Sequence, residues 1–294
     1  MRKWLKKNWA GYLFLMPWLL GLIAFTIVPI FTSLYLSLTR YNILNPAKFI
    51  GFENYTRMFS DEKFIASLNV TFKFVFISVP LQLTFALFIA MLLNRKISGL
   101  GFYRAVYYIP SLLGGSIAIS ILWRQIFNQE GLVNNLLSTL GVKGINWIAT
   151  PSTALYTVIL LSIWQFGSSM LIFLAALKQV PLELYEAAEI DGAGGSRKFV
   201  SITFPMITPM VLFNVIMQII SAFQAFNAVF IISGGTGGPL DSTLLFSLYL
   251  YKKGFTNFEM GYASALAWVL LIIIALIIAL IFGTSKKWVY NQDE

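Results

Sequence analysis

The chain has 294 residues, 58% of them hydrophobic and 11% charged, with a formal net charge of +9. So few charges cannot cover a soluble domain of this length, which points to an integral membrane protein and excludes a nucleic-acid binder, since that needs a solvated basic face. The lack of any cysteine or histidine excludes disulfide frameworks, thiol nucleophiles, most zinc and haem sites and the commonest proton carrier near neutral pH, so no cofactor or metal is expected.

A helix crossing the hydrocarbon core needs about 20 mostly apolar residues. In chain order six stretches qualify: 11–38, 72–93, 103–126, 154–177, 204–232 and 262–282. The first is longer than the apolar region of a cleaved signal, about 7–15 residues, and reads as a retained span. The first and fifth exceed the required length and are expected to tilt or protrude. Pro17, Pro29, Pro80 and Pro110 lie within spans and predict kinks, because neighbouring helices can satisfy the carbonyls they free. The expected fold is all-α: one transmembrane domain over 1–294 with six helices, of which 72–282 form a five-helix core.

Orientation follows from the basic residues. Arg2, Lys3, Lys6 and Lys7 precede the first span, Arg95, Lys96 and Arg104 join the second to the third, and Lys286 and Lys287 follow the last. The positive-inside rule then puts both termini in the cytoplasm. Three loops face outward, 39–71, 127–153 and 233–261, with turn signals at Asn45-Pro46, 128–131 and 234–239. The glycine-rich 234–239 stretch lacks the Lys-Ser/Thr of a nucleotide loop and reads as a tight outer turn.

The cytoplasmic link after the fourth span reads KQVPLELYEAAEIDGAGGSRKFVSITFPMITP over 178–209. Pro181 suits the first turn of a helix. Glu183, Glu186 and Glu189 recur every third residue beside Leu184 and Tyr185, and Ala187 and Ala188 let another surface approach the backbone. Asp191-Gly192 is a stop, glycine taking the left-handed conformation without penalty. Ser196 is placed to cap a second short helix, and Pro205 and Pro209 mark the start of the fifth span. Read from the residues alone, 181–203 is either an amphipathic interfacial connector or a docking element.

Glu186-Ala187-Ala188, Gly192 after three more residues, then Ile202 and Pro205 resemble the EAA motif of binding-protein-dependent transport permeases, with Phe204 where the usual pattern has leucine. The resemblance implies the fold of a type I ABC importer permease. It also implies that Glu186, Ala187, Ala188, Asp191, Gly192, Ile202 and Pro205 form or frame the coupling helices that dock into an ATPase subunit. The segments LFLMPWLLGLIAFTIVPIFTSLYLSLTRYN, GFENYTRMF, FYRAVYYIP and SGGTGGPLDST are similar to the first permease subunit of the sugar and glycerol-phosphate branch, in its shorter six-span form. Implied partners are a second homologous permease, two ABC ATPase subunits and an extracytoplasmic binding protein, all at the bacterial cytoplasmic membrane. The chain would itself catalyse nothing, and alternating access would be driven by ATP closure of the partners.

A permease needs polar groups within its spans, where they are costly without a role. The fifth span supplies Asn214, Gln218, Ser221, Gln224 and Asn227. At 100° per residue the first three fall within about 60° on the helix surface, and the others drift around it. Such a strip either lines a substrate path or bonds neighbouring helices. Phe223 and Phe226 flank it, and Trp164, Gln165, Ser168 and Ser169 in the fourth span are further candidates. Ala263 and Ala267 form a small-residue pair suited to helix contact. The acidic residues all lie outside the apolar stretches, which disfavours an ion-coupled secondary transporter. A neutral strip points to an uncharged mono- or oligosaccharide, with glycerol-3-phosphate or a related phosphodiester as the alternative.

Overall fold

The computed structural model describes residues 2–95 and 98–290. Lys96, part of the orientation argument, lies outside the described residues, as do the side chains of Arg2, Lys3, Lys6 and Lys7. In chain order the helices are α1 (Arg2–Leu22), α2 (Val28–Ser37), α3 (Glu53–Met58), α4 (Glu62–Leu93), α5 (Leu100–Leu113), α6 (Ile117–Ile126), α7 (Leu132–Thr139), α8 (Pro151–Trp164), α9 (Gly167–Leu177), α10 (Leu182–Ile190), α11 (Gly195–Lys198), α12 (Phe204–Phe223), α13 (Asn227–Ile232), α14 (Phe246–Tyr251) and α15 (Met260–Ser285); strands β1 (Thr39–Asn42) and β2 (Asn45–Phe49) come directly after α2. Among the described residues, four helical stretches are long and apolar enough to cross a membrane: Gly11–Ser37, Glu62–Leu93, Gly195–Ile232 and Met260–Ser285. Counting α5 with α6 and α8 with α9 as one bent span each brings the total to six.

The helical membrane architecture stands, with corrections. The third stretch is not a kinked helix but two helices bent by 97°, and the fourth bends by 42°. The sharp break falls at Gly114–Ser116, beyond Pro110, because Ser116 caps a new helix: its Oγ accepts the Ile119 N–H at 3.2 Å. Pro17 and Pro80 sit inside helices that continue through them. At Pro29 the preceding turn, Ile23–Ile27, widens to π-helix; this gives room at the Phe25 carbonyl, four residues back, where the ring would otherwise clash. The second helix starts at Glu62, ten residues before its apolar stretch, with its acid in the positive first turn.

The chain divides into two compact units. One comprises the residues up to Asp61 with Leu250–Leu271. Here the loop after α2 departs from all-α: β1 and β2 pair antiparallel, with Thr39 opposite Phe49 and Arg40 opposite Lys48. The turn lies at Ile43-Leu44, not at Asn45-Pro46, because Asn42 Oδ1 accepts the Asn45 N–H at 2.8 Å and sets the reversal two residues earlier. Buried Asn54 on α3 ties the hairpin to α2, its Nδ2 donating to the Ser37 and Thr39 carbonyls at 2.8 and 2.9 Å. A Cβ at Gly261 would stand 2.2 Å from the Thr39 carbonyl oxygen, so only glycine lets the start of α15 approach β1. Arg57 pairs with Glu259 at 2.7 Å, Lys253 lies 3.7 Å from Glu259, and the Tyr262 hydroxyl donates to Asp61 at 2.9 Å. Partial burial opposes the charge on Arg57, but Glu259, Tyr262 and Asp61 outweigh it and raise the guanidinium pKa. By contrast none of the apolar window of Gly11–Ser37 is buried within the chain, as a face turned to lipid or to another subunit requires.

The other unit comprises Glu62–Tyr249 with the residues from Ile272 on. Here α4 packs against α8, α9 and α12, and α5 lies on α9. Phe74, Leu161, Met170, Phe173, Ile207 and Phe223 fill its interior. In lipid the hydrophobic drive between helices is largely absent, so close packing and interhelical hydrogen bonds hold such a bundle. Two contacts show both. A Cβ at Gly167 would meet the Tyr107 carbonyl oxygen at 2.5 Å, so α5 and α9 touch backbone to backbone. Thr71, 1% exposed, accepts the Phe246 N–H at 2.8 Å and donates to the Ser67 carbonyl at 2.7 Å.

Candidate functional site

Two features of the second unit carry the sequence candidates. The first is the connector between α9 and α12. Pro181 occupies the N-cap of α10 rather than its first turn, with φ −59° and ψ 133°. The helix ends where the sequence puts the stop: Gly192 has φ +75°, its N–H donates to Glu189 O at 3.0 Å, and the Ala193 N–H donates to Ala188 O at 2.8 Å. That pair of bonds is the Schellman arrangement, which satisfies the last carbonyls and needs a left-handed residue. Ser196 does not cap the next helix. Gly194 holds that position, and α11 runs through a π-helical turn, Phe199–Thr203, into α12. Pro205 then sits in the first turn of α12 and Pro209 inside it.

No residue of α10 is buried. Glu183, Glu186, Ala187 and Glu189 are exposed, as is Asp191, while Ala188 and Ile202 are half-buried. Leu182 and Ile190 are 68% and 88% exposed. Two contacts fix α10 to α11 and the π-helical turn: the Tyr185 and Thr203 hydroxyls share a 2.8 Å hydrogen bond, and Lys198 Nζ lies 3.5 Å from Glu189 Oε2. The connector is thus braced from within and presents its acidic and aliphatic side outward.

The second feature is a cavity of about 280 Å³ where three broken helices meet. Gly114 and Gly115 come from the α5–α6 break, Gln165 from the α8–α9 break, and Gln224, Ala225 and Phe226 from the α12–α13 break. Gln218, Ser221, Ala222, Asn227 and Ala228 complete the fifth-span share of its wall. Of the sequence candidates, Gln218, Ser221, Gln224, Asn227, Phe226 and Gln165 are therefore brought together. Asn214 is not among them: it is 1% exposed and its Nδ2 donates to the Met210 carbonyl of its own helix at 3.1 Å. Phe223 is buried edge-to-face on Phe72, and Trp164 packs on Trp123 with centroids 6.0 Å apart.

The breaks are held by side chains that satisfy the interrupted backbone. Gln82 Nε2 and Ser111 Oγ both donate to the Gln165 carbonyl, at 3.2 and 3.0 Å, and Ser111 Oγ accepts the Ser168 N–H at 2.9 Å. Ser247 donates its hydroxyl to the Ala225 carbonyl. Gln218 Nε2 donates to Ser169 Oγ at 2.9 Å, so this member of the strip also bonds a neighbouring helix. The sequence reading missed Ser78, Gln82 and Ser162 in the wall. Ser78 and Gln82 are one helical turn apart in an apolar span, the pattern used for the fifth span, and would have been found by applying it to the second. Among the described residues, no charged side chain lines the cavity.

The 234–239 glycine run is a closed turn. Gly234, Gly235, Gly237 and Gly238 have φ between +63° and +99°, and a Cβ at Gly238 would stand 2.3 Å from Thr243 Oγ1. Its backbone groups are engaged internally: Thr243 N–H donates to Gly237 O at 2.8 Å and Gly235 N–H to Phe230 O at 2.7 Å.

The chain matches the family model described as binding-protein-dependent transport system inner membrane component over residues 63–288. It is 50% identical over 291 residues to the probable ABC transporter permease protein YesP of Bacillus subtilis, covering 98% of this chain and 94% of that one. It is 34% identical to the lactose transport system permease protein LacF of Rhizobium radiobacter over 283 residues, 94% of each chain. To the trehalose/maltose transport system permease protein MalF of Thermococcus litoralis it is 34% identical over 281 residues, again 94% of each. A chain of a bacterial alginate ABC transporter, solved with an alginate-pentasaccharide-bound periplasmic protein, shares the fold with a TM-score of 0.83 at 22% identity, covering 98% and 97% of the two chains. The exposed connector, the broken-helix bundle and these matches agree: the chain is a multi-pass membrane permease of the binding-protein-dependent transport system inner membrane component family.

Proposed function

We propose that this chain is one of two homologous permeases in an ATP-driven importer, and that it passes an uncharged mono- or oligosaccharide through the cavity at the three helix breaks. The carrying observation is the chemistry of that cavity: amides, hydroxyls and the Phe226 ring, with no charged group in the wall. Amide and hydroxyl groups exchange hydrogen bonds with sugar hydroxyls in either sense, whereas a phosphate monoester would call for a cation or a ring of donors. The names of the lactose and trehalose/maltose relatives support the same class. Both termini face the cytoplasm, the glycine turn and hairpin face outward to the solute-binding protein, and Glu186, Ala187, Ala188 and Gly192 meet one of two ATPase subunits.

The test uses the full transporter, with both permeases, ATPase and binding protein, in proteoliposomes. Gln218→Leu and Asn227→Leu should each lower saccharide uptake about tenfold or more, since a site built for hydrogen bonding loses that order when a partner is removed, while the complex still copurifies. Uptake equal to wild type in both variants refutes the path. ATPase contact is read separately by cross-linking Ala187→Cys, the chain having no other cysteine; absence of a cross-link during turnover refutes docking.

A further inference from the structure

The α5–α6 break holds two glycines with opposite surroundings. A Cβ on Gly114 would fall 2.1 Å from Gln165 Cγ and 2.2 Å from its Cδ, so that glycine lets the Gln165 side chain lie across the break. At Gly115, one residue on, a Cβ would meet nothing within 4 Å, and its φ is not in the left-handed region. Neither the local backbone nor packing therefore demands glycine at 115. Yet Gly115 lines the cavity, and among the described residues neither its N–H nor its C=O has a hydrogen-bond partner. The neighbours on either side are committed: Gly114 N–H donates to Pro110 O at 2.8 Å, and Ser116 N–H to Leu113 O at 2.9 Å.

An unpaired amide beside a missing side chain is the arrangement by which glycine lets a ligand touch the backbone. We propose that Gly115 is a ligand-contacting position whose lack of a side chain sets the largest saccharide the permease accepts. The proposal rests on the cavity being the sugar path. The volume of about 280 Å³ lies at the lower edge of the range for small-molecule sites, about 300–1,000 Å³. Side-chain atoms added at 115 subtract from that space directly, without first displacing protein, and the ligand loses both volume and access to the free N–H and C=O. Gly114 differs, because an addition there strikes the Gln165 side chain, itself part of the wall, and so rearranges the wall rather than filling open space.

Two measurements test this in the assembled transporter. First, Gly115→Cys is treated with a small methanethiosulfonate reagent, 2-(trimethylammonium)ethyl methanethiosulfonate, and modification is read as a mass shift on this subunit. Modification is expected, and slowed when loaded binding protein and ATP are supplied; an unreactive cysteine overturns the proposal. Second, wild type, Gly115→Ala and Gly115→Val are compared on a labelled mixture of mono-, di-, tri- and tetrasaccharides from several glycans, with transported species identified by mass. The length distribution should shorten stepwise, the longest species that wild type carries falling about tenfold or more in Gly115→Val while the shortest persists. An unchanged distribution, or an equal loss at all lengths, overturns the role of Gly115 and leaves the sugar path intact. No saccharide uptake by wild type overturns the path itself and this proposal with it.

Discussion

Gly192 offers the cleanest separation of backbone from contact effects. Its φ of +75° closes the Schellman end of α10, and a Cβ there would meet nothing within 4 Å. A Cβ therefore clashes with no other part of the chain, and the cost of adding one is that of the left-handed backbone. That cost is about 1–2 kcal/mol for an ordinary L-residue and larger for a β-branched one, which reduces the population of the closed connector about 5–30-fold. Asparagine tolerates the left-handed region far better and can take this position. In proteoliposomes containing all subunits, Gly192→Val should lose most ATP-driven uptake while Gly192→Asn stays near wild type, with equal subunit recovery in both. ATPase activity stimulated by the binding protein should change in parallel with uptake. Wild-type uptake by Gly192→Val would show that the turn does not transmit motion. Equal impairment of the asparagine and valine variants would place the constraint in a surface contact rather than in φ.

Other predictions concern the bundle. Gly167→Ala puts a Cβ 2.5 Å from the Tyr107 carbonyl oxygen and 2.8 Å from Tyr108 Cα, both backbone atoms that cannot swing aside. The variant should be destabilised by about 1–3 kcal/mol, seen as a lower melting midpoint in detergent; a midpoint equal to wild type refutes the backbone contact. Thr71→Val keeps the shape but removes the acceptor of the buried Phe246 N–H. The orphaned donor should cost about 1–3 kcal/mol, and faster amide exchange at Phe246 is the direct readout.

The sequence determined the class of this protein and the place where its exposed connector helix ends. Composition alone requires a membrane chain, because 11% charged residues cannot solvate a surface. The end of α10 was readable because its cause is local: one glycine sets one turn, and the acids and small alanines before it need no distant partner. The β1–β2 hairpin was not readable, since the Asx bond of Asn42 and the tie from Asn54 to α2 decide it, not the more obvious Asn45-Pro46 pair. The cavity wall was half readable. Helical spacing united Gln218 and Ser221, but it also admitted Asn214, which bonds its own helix, and Phe223, which packs inward. Which faces turn to the cavity depends on where helices break, and the breaks depend on side chains reaching across, as Gln82 and Ser111 do to the Gln165 carbonyl. Only the tertiary structure could decide that, and only it distinguishes Gly114, packed against Gln165, from Gly115, open to the cavity.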